Sequence, residues 1–182
     1  MKYATIYPFD ISNGIGIRVS LFVQGCSFHC KGCFNPETWD FKGGLQYDHK
    51  VNNYLMSLCD HEYVSGLSIL GGEPLNPRNV GTVMGICDQF KKLFPNKNIW
   101  VWTGYTMEEL NERCKSENDL MYLLYGNTIT SSNKPDLSKQ VGLVDTLIDG
   151  QFEEDKKDLS LVWRGSSNQR IWTNKNGIWT NN

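Results

Sequence analysis

The chain lacks any apolar run near the ~18–20 residues that a membrane-spanning helix needs. Its start, MKYATIYPFD, has none of the apolar core of a secretory signal, so a cytoplasmic protein is the expectation. A basic surplus is missing too: 18 Lys and Arg stand against 20 Asp and Glu, a net charge of −2. Nothing in that balance draws the chain onto phosphate backbones or anionic lipid, so neither nucleic acid nor a membrane is an expected partner. No Ser-His-Asp or paired-carboxylate signature occurs, which leaves hydrolysis by side chains without a candidate. What is present bounds the rest. At 182 residues the chain fits one compact domain, since domains usually run ~100–200 residues. Among its six cysteines, Cys26, Cys30 and Cys33 crowd together, and in a reducing compartment such crowding points to metal rather than disulfides.

Periodicity places these cysteines. Arg18 to Val23 (RVSLFV), entered through Asn13-Gly14-Ile15-Gly16, reads as a buried strand, and Gln24 to Gly44 has the composition of a long loop with a function. Asp48 predicts the cap of a helix bearing Val51, Tyr54, Leu55 and Leu58 on one face. Gly66 to Leu70 (GLSIL) predicts a second strand, ended by Gly71-Gly72-Glu73-Pro74. Asn76 and Pro77 then predict the N-cap and first residue of a helix carrying Val80, Val83, Met84, Cys87 and Phe90 as far as Pro95. Asn98 to Trp102 (NIWVW) predicts a third strand, with Trp100 and Trp102 in the core. Thr106 with Glu109 predicts a capping box for a helix bearing Met107, Leu110 and Cys114. Leu143 to Ile148 (LVDTLI) predicts a fourth strand, closed by Asp149-Gly150, and the polar stretch from Gly126 to Gln140 predicts a mobile excursion.

Strands alternating with helices argue for an α/β fold with a parallel sheet, whose ligands bind at the carboxyl ends of the strands. A complete eightfold barrel takes ~250 residues, so the expectation is a partial, open α/β barrel with a mostly parallel sheet. Residues 1–172 are expected to form a single domain and 173–182 a loosely attached C-terminal tail.

The feature with the most chemistry is Cys26-Ser27-Phe28-His29-Cys30-Lys31-Gly32-Cys33, a C-x3-C-x2-C loop directly after the first predicted strand. A cubane iron–sulfur cluster has four iron corners held by thiolates, and three are supplied here, leaving one corner for a substrate. The competing reading is structural zinc with a fourth ligand from His29, His49 or His61. Such zinc sites pair two distant C-x2–4-C halves, whereas Cys59, Cys87 and Cys114 are isolated, two of them on apolar helical faces. At Gly71-Gly72-Glu73-Pro74, the glycines let the backbone approach a ligand closely. The Gly71 and Gly72 carbonyls can then face the ammonium of a bound amino acid, with Glu73 adding negative charge. A plain tight turn is the alternative. Thr103-Gly104-Tyr105 and Asp149-Gly150 either line the same cleft or are ordinary strand-to-helix turns.

The cysteine loop followed by GGEP resembles the radical S-adenosylmethionine superfamily. More narrowly, NGIGIR (13–18), LFVQGC (21–26), CKGCFNPETW (30–39), GGEPLNP (71–77), IWVWTGYT (99–106), LIDGQF (147–152) and WRGSSNQR (163–170) resemble the family of activases that serve anaerobic ribonucleoside-triphosphate reductase. Two departures matter. Gly32 stands where much of the superfamily has an aromatic residue, so adenine contact is expected from backbone near Gly32 and from the Phe34 ring. Larger activases resemble D-G-P-G-x-R where this chain has Asn13 to Arg18, so no role of that aspartate passes to Asn13.

The resemblance implies a [4Fe–4S] cluster on Cys26, Cys30 and Cys33, and S-adenosylmethionine held by Gly32, Phe34, Gly71, Gly72, Glu73, Pro74 and Thr103. It implies reductive cleavage of that cofactor to a 5′-deoxyadenosyl radical, which makes a glycyl radical on class III anaerobic ribonucleotide reductase. The partners implied are the large subunit of that reductase and a flavodoxin-like electron donor. A radical enzyme acting on a small purine-like precursor and a non-catalytic zinc-binding interaction module are the competing readings. Arg164 to Arg170 is specific to the family match but has no chemistry legible in its residues.

Overall fold

The computed structural model describes residues 1–126 and 142–181. In chain order these form β1 (Lys2–Asp10), β2 (Ile17–Val23), β3 (Leu45–Gln46), α1 (His49–Cys59), β4 (Val64–Gly71), α2 (Val80–Leu93), β5 (Asn98–Trp102), α3 (Met107–Arg113), α4 (Asn118–Tyr125), β6 (Thr146–Asp149), β7 (Arg170–Lys175) and β8 (Ile178–Asn181). The strands make one sheet in the order β3-β1-β2-β4-β5-β6-β7-β8. Its middle, β2-β4-β5-β6, is parallel, and β1, β3, β7 and β8 join antiparallel. The architecture is α/β with a mixed sheet, mostly parallel in the middle and not closed on itself. Among the described residues, no helix is long and apolar enough to cross a membrane.

Strand alternation divides the sheet into two faces. Val19, Leu21, Val23, Leu67, Ile69, Ile99 and Val101 share a buried core with Leu55 and Met56 of α1, Val83 and Phe90 of α2, Leu110 of α3 and Leu123 of α4. The intervening residues differ in kind. Register aligns Ser20 with Ser68 and Phe22 with Leu70, and Ser68 with Trp100, so the opposite face is polar and aromatic. At its lower end the buried Arg18 guanidinium donates to Ser68 Oγ (2.6 Å), Asn98 Oδ1 (2.7 Å) and the Leu67 carbonyl (2.8 Å). Burial pushes Arg18 down to about 10.

The predicted strands form, as do the caps at Asp48 and Thr106, with shifts elsewhere that have local causes. Asp48 caps α1 through Lys50 N and Val51 N, although the buried face is Leu55, Met56 and Cys59, with Tyr54 exposed. The helix expected from Asn76-Pro77 begins later, at Val80. Asn76 Oδ1 accepts from Arg78 N (3.0 Å) and so shapes a turn instead. The Thr106–Glu109 capping box is present in full. The fourth strand runs from Thr146 to Asp149 rather than from Leu143, because Leu143 N and Val144 N turn back to the Leu123 carbonyl at the end of α4.

β1, β3, α4, β7 and β8 are additions to the expected elements. β1 lies within the first ten residues and pairs antiparallel with β2. The segment set apart as a tail, 173–182, is through Asn181 the end of β7 and all of β8, so it continues the sheet rather than hanging from it. The excursion expected from Gly126 to Gln140 lies, beyond Gly126 itself, outside the described residues.

Candidate active site

A cavity of about 460 Å³ opens at the carboxyl ends of the parallel strands and extends down the polar and aromatic face. Three sequence segments converge there because the strands preceding them are neighbours in the sheet. The loop after β2 supplies Cys26, Cys30, Cys33 and Phe34; the turn after β4 supplies Gly71, Gly72 and Glu73; β5 and its turn supply Trp102, Thr103 and Gly104. Gly32 and Pro74 are not in the lining. Gly32 is exposed with φ +72°, and a Cβ there would stand 2.9 Å from Glu154 Oε1, so its space is taken up by the Glu153–Lys157 stretch. Pro74 is buried behind its turn.

The cysteine loop is fastened to the GGEP turn by backbone. Gly72 N donates to the Val23 carbonyl (2.9 Å) and Glu73 N to the Gly25 carbonyl (2.8 Å). A Cβ on Gly72 would meet Gly25 O at 2.6 Å, so only glycine permits this approach. Asn79 Nδ2 donates to the Gln24 carbonyl (3.1 Å) and the Glu73 carbonyl (3.0 Å), joining the same two segments from the start of α2. Gly104 leaves room for Phe28 of the cysteine loop, whose ring lies 4.8 Å from that of Tyr105.

Glu73 corrects the expectation of a negative charge offered to a ligand. Its carboxylate, 1% exposed, accepts from Leu75 N (2.8 Å), Thr103 Oγ1 (2.7 Å) and Gly104 N (2.7 Å). It therefore braces the ends of β4 and β5 against each other. Burial pushes its pKa up from 4.5 to about 7, against the pull of those three donors. Thr103 likewise has its hydroxyl committed to Glu73, with its oxygen accepting from Tyr105 N (3.2 Å).

The thiols suit an iron–sulfur group. Cys33 Sγ accepts from Asn35 N (3.4 Å), the kind of N–H···S bond that tunes such clusters. Phe28, Phe34 and Phe152 give the cavity an apolar wall. Burial raises the Cys26 and Cys30 thiols, so metal loading must displace protons. Phe34 is 54% exposed and tilts against Phe152 at 5.1 Å. His29 is exposed, with φ +51° and its ring 4.8 Å from Trp39, and it is outside the lining. Cys59 and Cys114 are core residues whose thiols burial pushes up to about 12; Cys87 is buried and raised likewise.

Sequence reasoning missed part of the wall. Gln151, Phe152, Trp163, Arg164 and Gln169 all line it, as does Trp102, which was expected in the core. The signal available was the WRGSSNQR segment, whose structural logic depends on residues distant in sequence. Gln169 Oε1 accepts from Gly165 N (2.8 Å) and Ser166 N (3.2 Å), while its Nε2 donates to the Gly150 carbonyl (3.0 Å). Arg170 pairs with Asp149 and Glu108. The segment folds on itself and is pinned to the end of β6, and Trp102 Nε1 reaches the Trp163 carbonyl at 2.7 Å.

Comparison with known proteins points to an iron–sulfur cofactor. A family model described as a 4Fe-4S single cluster domain matches residues 12–172, so the chain is an iron–sulfur protein of that class. At the narrower level, it is 39% identical to the anaerobic ribonucleoside-triphosphate reductase-activating protein of Pasteurella multocida, over 94% of this chain and 97% of that one. It is 37% identical to the protein of that description from Enterobacteria phage T4, over 98% of each, and 36% identical to that of Escherichia coli K12, over 94% and 97%. The chain belongs to the family of anaerobic ribonucleoside-triphosphate reductase-activating proteins.

Proposed function

We propose that this protein activates anaerobic class III ribonucleotide reductase by generating a glycyl radical on its large subunit. The observation that carries the reading is the convergence of Cys26, Cys30 and Cys33 with the Gly71-Gly72 turn on one cavity, in a chain 36–39% identical to activating proteins along nearly its whole length. A [4Fe–4S] cluster held there would supply the electron for reductive cleavage of S-adenosylmethionine, and with it the hydrogen abstraction that leaves a radical on the partner's glycine.

The residues of the chain bind, orient and shield. Cys26, Cys30 and Cys33 would hold the cluster as thiolates. Gly71 and Gly72 would give close backbone approach to the cofactor's amino-acid end, and the Phe34 ring would take the adenine face. Glu73 and Thr103 act one step back by fixing the β4 and β5 turns. Phe28, Phe152 and Trp102 keep water from the reacting atoms. The open sheet, parallel in its middle, supports reading the fold as a partial barrel of radical S-adenosylmethionine type, whose open flank would suit a substrate that is a loop of another protein. The whole chain acts as one domain, in the cytoplasm, with a flavodoxin-like protein as electron donor.

Product analysis on anaerobically reconstituted protein tests this. Reductant, S-adenosylmethionine and the reductase together are expected to yield 5′-deoxyadenosine and methionine, together with reductase activity. Turnover on a free purine-like precursor without any protein partner would contradict the assignment.

A further inference from the structure

Charge within the cavity is sparse. Among its described lining residues Arg164 is the one Lys or Arg and Glu73 the one acid, and Glu73 is committed to three donors of its own turns. Arg164 is differently placed. Its Nη1 donates to the Gln169 carbonyl (2.9 Å), its Nε is buried with no hydrogen-bond partner, and no carboxylate among the described residues pairs with it. A guanidinium held at a cavity wall without an acid is a site for an anion, and its planar fork matches a carboxylate.

The loop fixes where that site lies. Gln169 ties the Arg164 loop to Gly150, whose neighbour Gln151 has its Oε1 3.9 Å from Cys30 Sγ. Gly165 sits against Phe34 and Phe152, a Cβ there falling 2.6 Å and 3.0 Å from their rings. Arg164 thus lines the same cavity as the three thiols, one residue before the glycine that packs on the aromatic wall, and by contrast Arg170 of the same segment is consumed by Asp149 and Glu108. We propose that Arg164 binds the carboxylate of the cofactor's amino-acid end, and that the fold of the WRGSSNQR segment serves to present it. This rests on the proposed use of S-adenosylmethionine.

Ligand binding without turnover tests it. Cluster-loaded protein, kept oxidised, is titrated with S-adenosylmethionine and with its decarboxylated analogue, and iron content is measured on each sample. The wild type should bind the carboxylated ligand better. R164Q should weaken S-adenosylmethionine roughly 10- to 100-fold, the worth of a hydrogen bond to a charged group, and leave the analogue's affinity unchanged. R164K, which keeps the charge, covers the case in which R164Q does not load its cluster, and should retain a reduced preference for the carboxylated ligand. Wild-type affinity for S-adenosylmethionine in R164Q, or in R164K an affinity for both ligands lowered by the same factor, would overturn the assignment. A loaded wild type that binds neither ligand would instead remove the cofactor reading on which it rests.

Discussion

Glu73 shows how a side chain that looks like a ligand can be a brace. The residues of GGEP suggested a charge presented to the cofactor, but three donors from two loops surround the carboxylate. Replacing it with Gln puts an amide N–H against a backbone or hydroxyl donor, which should cost ~1–3 kcal/mol. The pH dependence has a definite sign. With the folded pKa at about 7 against an ordinary 4.5, the folded state binds the proton more tightly. Its contribution is therefore full below about 4.5 and is lost as pH rises through about 7. Urea midpoints from about pH 4.5 to about pH 8 should fall more steeply in the wild type than in Glu73→Gln; parallel curves would contradict this. The cysteines were legible because their spacing is local. Cys→Ser at position 26, 30 or 33 is expected to abolish the cluster, read as loss of iron and acid-labile sulfide from folded protein. Arg164 and Gln169 were not legible as wall residues, because Gln169, whose carbonyl holds Arg164, meets its own anchor at Gly150 only through the sheet.

At the level of elements, close backbone approach holds the site together. Gly72→Ala would drive a Cβ into the Gly25 carbonyl, displacing the loop that carries Cys26. Cluster retention should drop several-fold in Gly72→Ala, while Gly85→Ala, where a Cβ meets nothing within 4 Å, should retain its cluster and gain slightly in stability. Loss of the capping box in Thr106→Ala should cost ~1 kcal/mol by chemical denaturation. The parallel strands could be read from their Val, Leu and Ile runs because one whole face meets the helices. β1, β7 and β8 could not, since KYATIYPFD and RIWTNK mix polar and apolar residues as half-exposed antiparallel strands do. The start of α2 was misplaced for a functional reason: Asn79, at the true N-cap, has its amide engaged by the cysteine loop.

For the molecule as a whole, the C-terminal strands close the edge beside the site. Trp172 and Trp179 pack against the core, and β7 carries the arginine that pins the end of β6. Deleting residues 176–182 removes β8 and should cost ~2 kcal/mol, lowering the melting temperature by roughly 4–8 °C; an unchanged transition would mean a passive tail. The opening of the sheet, with exposed Leu159 (78%) at the rim of the cavity, leaves a way in for a loop of another protein. The central claim is that this chain places a radical on a glycine of its partner. The most direct test is electron paramagnetic resonance of reductase carrying α-deuterated glycine, beside unlabelled reductase, after incubation with the reduced cluster-loaded protein and S-adenosylmethionine. The account predicts an organic radical on the reductase whose hyperfine splitting collapses on deuteration. An intact cluster with no reductase radical, or a signal indifferent to the label, would contradict it.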